Sequence, residues 1–404
     1  MSRSIAERFK VSWRSINWYY LAYSVAFLVA FAVYFLKRYL PNENVSTYFI
    51  LSITMSSLVF AWDIYRRGWN RETVLAIIAA VAYVIILPVH YYTRDSISTF
   101  SVLSFFFLSV AVDQEDRHLV QVVFYTKLLL GIAVLTLFDL GIFQDFLTYR
   151  SGEVEEKVRH SFGFGHPNSL GMYMVVLLMD YFLMMRKEKV SFLAYLMGFG
   201  FSLLIFAASD SKLSLMVGLL VLGISLLKQR LNRIVIKGQL LFSGIMIAYL
   251  LGILLSFSYQ ENIPFFTSLN ALFTGRLKYA HQYMVTYGLH LFSNDYPSLY
   301  SYGVMLANEN FYVDSLLRNG LVLYLFYPFM MWLQIERKQF SLYYVCLTML
   351  CFFLAMVEDY GASVLMMTPL LFNYFGRDQD EVSLVSDSTP LWQKVKHFFD
   401  RRGQ

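Results

Sequence analysis

Residues 159–185 read RHSFGFGHPNSLGMYMVVLLMDYFLMM, a polar, glycine-rich stretch with an arginine and two histidines that runs straight into an apolar segment. A helix of roughly 17–25 apolar residues crosses the ~30 Å hydrocarbon layer of a bilayer. Lipid offers the backbone no partners, so a helix is the expected form of the run. Pro167 suits a first helical turn and the glycines before it allow tight turns. His166-Pro167-Asn168 therefore marks where the span begins.

The same pattern fills the chain. Of 404 residues, 57% are hydrophobic and 18% aromatic while only 15% are charged, far from the balance of a soluble protein. Apolar runs are read at roughly 17–36, 45–62, 73–89, 97–112, 119–138, 164–185, 190–208, 213–227, 234–258, 310–333, 340–357 and 360–375. The expected fold is all-α: a polytopic integral membrane bundle of about twelve helices over residues 1–375, followed by a polar tail at 376–404. The first run starts near Asn17, is of full membrane length and lacks a small-residue cleavage pattern, so it is expected to stay as the first span. Cys346 and Cys351 share one apolar run, which excludes a disulfide framework and a cysteine metal site. No fixed-period repeat argues for a solenoid.

Charge placement orients the bundle. With the amino-terminal Arg3, Arg8, Lys10 and Arg14 inside, the same side receives Arg66-Arg67-Arg71, Arg186-Lys187-Lys189, Lys228-Arg230-Arg233-Lys237, Arg337-Lys338 and the basic tail. Both termini are then cytoplasmic. Two long segments, 139–163 and the large loop 259–309, face outward, and long loops tend to carry function. They and an outer turn hold basic residues that the orientation rule leaves unexplained: Arg150, Lys157, Arg159, Lys212, Arg276 and Lys278.

The amide end of a helix starting at Pro167 attracts anions, and Arg159 and His160 can add donors there. His166 and Asn168 can equally well only cap and pack the helix start.

RHSFGFGHPNSLG resembles the HPN signature of the O-antigen ligase and polysaccharide polymerase (Wzy/WaaL) superfamily, integral membrane glycosyltransferases that act on polyprenyl-diphosphate-linked glycans. Ser209-Asp210-Ser211-Lys212 is similar to the family's Ser-Arg element, with lysine for arginine, and Thr274-Gly275-Arg276 to its Gly-Arg element. The segment Asn308-Glu309-Asn310, leading through Asp314 and Arg318 into the tenth span, is similar to the His-Asn segment in which a histidine helps to deprotonate the acceptor hydroxyl; Glu309 stands at the histidine position. The resemblance covers roughly residues 159–325 and rests on the order and shared outer location of the motifs.

A diphosphate leaving group concentrates negative charge, and fixed cations stabilise it as the glycosyl bond breaks. Arg276 and Lys212 suit that task, the arginine gripping two oxygens and the lysine acting as a point charge; a lysine at a helix end also snorkels without any such role. Tyr279, Tyr283 and Tyr287, four apart on a helix with His290 on the same side, can stack on sugars or simply anchor an interfacial helix. Glu309 can act as base. Asp314 and Arg318 can hold the site or form an intrahelical pair. Asp113–His118 reads as a solvated turn, and Lys127 and Asp180 are buried charges without an assigned role. No metal-ligand spacing, phosphate-cradling glycine loop or catalytic acid pair appears, so neither a metal nor a nucleotide cofactor is expected.

The resemblance implies a Wzy-type polymerase of capsular or exopolysaccharide in the bacterial cytoplasmic membrane, acting on an undecaprenyl-diphosphate-linked oligosaccharide among membrane lipids. A flippase and a chain-length regulator of the same pathway are its implied partners, and nucleic acid is not. Arg159, Lys212 and Arg276 are expected to share one cavity open to lipid. A ligase that moves finished glycan to another acceptor fits the same motifs. A secondary transporter also has about twelve spans with a few buried charges, but it usually shows related halves and interrupted helices near the midplane; this chain shows no such symmetry, and its unexplained polar residues gather in outer loops.

Overall fold

The computed structural model describes residues 18–39, 46–69, most of 73–82 and 104–112, 118–145, 148–150, 157–292 except 165, 299–301, 304–306, 308–358, and 363–378 except 364. The amino-terminal cations, about half of the expected spans 73–89 and 97–112, the turn 113–117 and the tail from 379 lie outside the described residues.

The protein is a helical membrane protein. Among the described residues, its helices are α1 (Trp18–Tyr39), α2 (Ser46–Arg67), α3 (Leu119–Asp139), α4 (Pro167–Met184), α5 (Phe192–Ser209), α6 (Lys212–Leu226), α7 (Lys228–Leu231), α8 (Gly238–Phe257), α9 (Pro264–Leu272), α10 (Arg276–Tyr287), α11 (Phe311–Ile335), α12 (Leu342–Leu354) and the single turn α13 (Phe372–Phe375), with further helical residues within 73–82 and 104–111. Among the described residues, α3, α4, α5, α8 and α11 are long and apolar enough to cross a membrane; α6, α12 and Trp18–Tyr34 of α1 are shorter apolar helices. The outer surfaces of these helices carry exposed leucine, isoleucine and phenylalanine, as lipid-facing surfaces do, while α4 is buried along most of its length and forms the centre of the bundle. Two ends result. Here they are termed the loop end, where α4, α6 and α11 start, and the sheet end, where they finish.

At the sheet end, β3 (Val235–Lys237), β6 (Lys338–Ser341) and β7 (Arg377–Asp378) form an antiparallel sheet in the order β3-β6-β7. At the loop end, two short hairpins rise from the bundle, β1 (Thr148–Arg150) with β2 (Lys157–Arg159) and β4 (Leu299–Ser301) with β5 (Val304–Leu306).

The expected span at 360–375 is corrected. Its described residues form turns, a 3-10 turn at Thr368–Leu370 and α13, and they lead from the loop end to the sheet end without a continuous helix. Pro369 lacks an amide donor and interrupts the ladder. Such a backbone survives at membrane depth only where protein supplies the missing partners. Lys127 Nζ, fully buried on α3, donates to the Met366 carbonyl at 2.7 Å and to Thr368 Oγ1 at 2.9 Å, and it is ion-paired with the buried Asp180 of α4 at 2.7 Å. The Tyr344 hydroxyl donates to the Pro369 carbonyl, and Lys338 Nζ donates to Asn373 Oδ1 at 2.7 Å. The two charges that the sequence left unassigned thus anchor the broken segment.

α11 is also interrupted. Gly320 adopts φ +71°, and the Phe292 backbone lies so close that a side chain at 320 has no room. The amides freed there, Leu321 and Val322, donate to the carbonyls of His290 and Leu291 at 2.9 and 3.1 Å.

Removing one partner of a buried ion pair costs about 3–5 kcal/mol, whereas replacing both with apolar groups is often neutral. Lys127→Met is expected to lower the melting temperature of the detergent-solubilised protein sharply, and Lys127→Met/Asp180→Leu to recover most of the loss. A double variant no more stable than the single one would show that the pair is not the anchor.

Candidate functional site

The loop end carries two polar constellations. The first is built by β2 and the helix junctions beside it. Arg159, the last residue of β2, donates through Nε to the Ser209 carbonyl at 2.9 Å and through a terminal nitrogen to Asn168 Oδ1 at 2.6 Å. His166 caps α4, its Nδ1 accepting from the Asn168 amide at 3.1 Å. Asp210, at φ +47°, ends α5 in the left-handed region, and Ser211 caps α6, so the chain turns sharply enough to place Ser209, Ser211 and Lys212 beside the start of α4. Lys212 is exposed on the rim. Arg159, His166 and Asn168 are therefore brought together; His166 takes the capping role, whereas Asn168 gives its amide to that cap and its side chain to Arg159.

Next to this group, His160 Nδ1 donates to Asp145 Oδ2 at 2.6 Å, while Asp145 Oδ1 accepts from the amides of Ser161 and Phe162 at 2.8 and 3.1 Å. Partial burial opposes ionisation of Asp145, but His160 and these amides outweigh it and hold the carboxyl below its ordinary value of 3.8. Sequence reasoning missed Asp145, because nothing in the spacing Asp145 to His160 marks a pair.

The second constellation surrounds Arg276. Thr274 (φ +53°) and Gly275 (φ +89°) are consecutive left-handed residues that turn α9 back into α10 and direct the first residue of α10 inward. Asn270 holds that turn, its carbonyl accepting from Gly275 N at 2.8 Å and its Oδ1 from Lys278 N at 2.9 Å. Arg276 is 6% exposed. Its guanidinium is ion-paired with Glu309, and with Glu358 at 3.1 Å.

Glu309 precedes the cap of α11, and Glu358 ends the turn after α12; the two meet because Phe311 N donates to the Ala355 carbonyl at 2.9 Å. Asn310 caps α11 through the amides of Tyr312 and Val313 and donates to Ser256 Oγ at 3.2 Å, while His281 donates to the Ser256 carbonyl at 2.9 Å. These bonds fix the end of α8, the middle of α10 and the start of α11 as one unit. Glu358 was not foreseen. Its signal was an acid at the loop-end limit of an apolar run, the kind of placement that marks function in a membrane protein.

The remaining expected residues are placed as follows. Tyr283 is buried with Ala280, Met284, Val313 and Leu317 and Tyr287 packs beside it, so these two seat α10 on α11, while Tyr279 lies against Gly275. His290 is exposed, donating from Nε2 to the Tyr287 carbonyl at 2.8 Å. Arg318 Nε reaches both Asp314 oxygens at 3.0 Å, an i,i+4 pair on a half-exposed face. The described contacts thus bring Arg276 and Glu309 together in one constellation and Arg159 and Asn168 in the other, while Lys212 is exposed; the cavity expected to join Arg159, Lys212 and Arg276 is not among the described pockets.

Among the described residues, no group of histidine, cysteine and carboxylate side chains is arranged to hold a metal. The chain matches no family model, no curated protein and no solved structure.

Because its folded-state value is depressed, Asp145 contributes stability above pH 3.8 that is lost as pH falls through the folded value. Thermal scans of wild type and Asp145→Ala from neutral pH down to about pH 2 are expected to show a gap that closes on acidification. A gap independent of pH would remove Asp145 from this role.

Proposed function

We propose that the protein is a membrane glycosyltransferase that polymerises polyprenyl-diphosphate-linked oligosaccharide repeat units at the outer face of a bacterial cytoplasmic membrane. The reading takes about twelve spans and cytoplasmic termini as its topology. One observation carries it: a buried arginine at the loop end of the bundle, held against a half-buried carboxylate that belongs to the motif expected to supply the base.

In this mechanism the donor diphosphate enters from the lipid and takes up Arg276, which exchanges carboxylate for phosphate oxygens in a two-point grip. Glu358 remains as the buried counter-charge that keeps the guanidinium in place. Glu309, released from the ion pair, accepts the proton of the acceptor hydroxyl. That oxygen forms a bond to the anomeric carbon as the bond from carbon to phosphate oxygen breaks, and the diphosphate leaves on its lipid with the electron pair. A single displacement inverts the anomeric centre, and the energy comes from the donor linkage. Arg159, organised with Asn168 over the junction of α5 and α6, supplies a second cation for the glycan or the second phosphate.

A transporter is the reading that the broken segment and the Lys127–Asp180 pair favour, since interrupted spans and buried intramembrane charges mark such proteins. Incubation of purified protein with one synthetic lipid-diphosphate repeat unit separates the alternatives. A ladder of products without any second acceptor identifies a polymerase, transfer only to an added acceptor identifies a ligase, and unchanged substrate removes both.

Arg276→Lys keeps the charge facing Glu358 but loses the fork, and it is expected to slow extension about 10²–10³-fold at nearly unchanged melting temperature. Glu309→Gln is expected to cost about 10²–10⁴-fold. Wild-type ladders from both variants would sink the assignment.

A further inference from the structure

The sheet end contains a cavity of about 700 Å³ that the proposed reaction does not use. It is lined by six cations, Arg186, Lys187, Lys189, Lys228, Arg233 and Arg377, against a single carboxylate, Glu188. They come from three separate parts of the chain: the turn between α4 and α5, the segment around α7, and β7.

A rule that gathers cations on one side of a membrane asks only that they share a side. It does not ask them to surround one hollow, where their mutual repulsion opposes folding. The structure holds them there by specific contacts. Lys228, 3% exposed, donates to the carbonyls of Met185 and Glu188, each at 2.6 Å, and Asn232 donates to the Arg186 carbonyl at 3.1 Å, so the turn is fixed to α7. The Arg186 guanidinium lies 4.9 Å from the ring centres of both Tyr374 and Phe375, residues of the broken segment that also line the cavity. The two rings stand at 90° to each other, so they hold the guanidinium in a corner rather than between parallel faces, and the planar guanidinium fork is the donor set that suits phosphate oxygens.

The geometry points to a binding site for a multiply charged phosphate group at the end of the bundle that the charge asymmetry assigns to the cytoplasm. Six cations against one carboxylate leave an excess far larger than one monovalent anion carries, and a diphosphate or a two-phosphate headgroup offsets more of it. Basic pockets between membrane helices at this level accept such headgroups. The site is independent of the glycosyltransferase reading, because none of its residues takes part in that chemistry.

The test uses the full chain in phosphatidylcholine nanodiscs. Its melting temperature is followed during titration with inorganic pyrophosphate and, in parallel, in nanodiscs doped stepwise with cardiolipin. Wild type is expected to show a saturable rise with at least one probe. Saturation by pyrophosphate identifies a soluble phosphate, and saturation by cardiolipin alone a lipid headgroup. Arg233→Gln/Arg377→Gln removes two exposed cations of the cavity without touching the buried contacts, and it is expected to weaken the saturating probe about tenfold or more. Arg230→Gln/Lys237→Gln removes the same charge from the same end, outside the cavity, and is expected to leave binding unchanged. Absence of saturation with both probes, or equal weakening in the two double variants, would overturn the site and leave only a diffuse surface field.

Discussion

A chain in lipid must find a partner for every buried amide and carbonyl, and here that constraint is met in an unusual place by one ammonium group. Lys127 lies within α3, takes Asp180 as counter-ion, and uses its remaining donors on the irregular segment that follows Glu358. A neutral side chain in its place cannot satisfy the carboxylate and the carbonyl together. The central position of α4 follows, because that helix supplies the acid and is enclosed by α3, α5 and α6. Two charges that each carry a large desolvation penalty are retained because together they close a gap that no helix can close.

The loop end shows the same logic applied to chemistry. Arg276 reaches a buried position because two successive left-handed residues turn the chain directly before it, and because two carboxylates from different helix ends offset its charge. Glu309 and Glu358 differ in a useful way. One is 2% exposed and the other 27% in its side chain, so one holds the arginine while the other can let it go. A guanidinium with a permanent and an exchangeable partner is suited to receiving an anion, since binding trades one negative group for another at little cost in buried charge.

Much of this was legible in the sequence. Runs of apolar residues placed α3, α4, α5 and α8 within a few residues, since length and lipid leave a helix as the only solution. Pro167 and His166 marked the start of α4 correctly. The run at 360–375 misled because LLFNYF is as apolar as any helix; its warning was Pro369, with Asn373 and Gly376 soon after, in a run too short to tolerate them. The pairing of Lys127 with Met366 and Thr368 was not readable at all, since partners 239 and 241 residues apart leave no periodic trace. At the site, the motif order pointed to Arg276 and Glu309, and of the tyrosines that could stack on sugars or anchor a helix, Tyr283 and Tyr287 pack in a helix interface. Spacing shows which side chains share a face, and the neighbour across that face decides what they do.

The three-stranded sheet has a consequence for how the molecule is made. β6 sits between β3, which precedes it by about a hundred residues, and β7, which is the last described element. During synthesis β3 and β6 can zip together early, leaving one edge of β6 open until Arg377 and Asp378 emerge. Docking of β7 brings Tyr374, Phe375 and Arg377 up to Arg186 in the same movement, so closing that edge of the sheet and walling the basic hollow are one event.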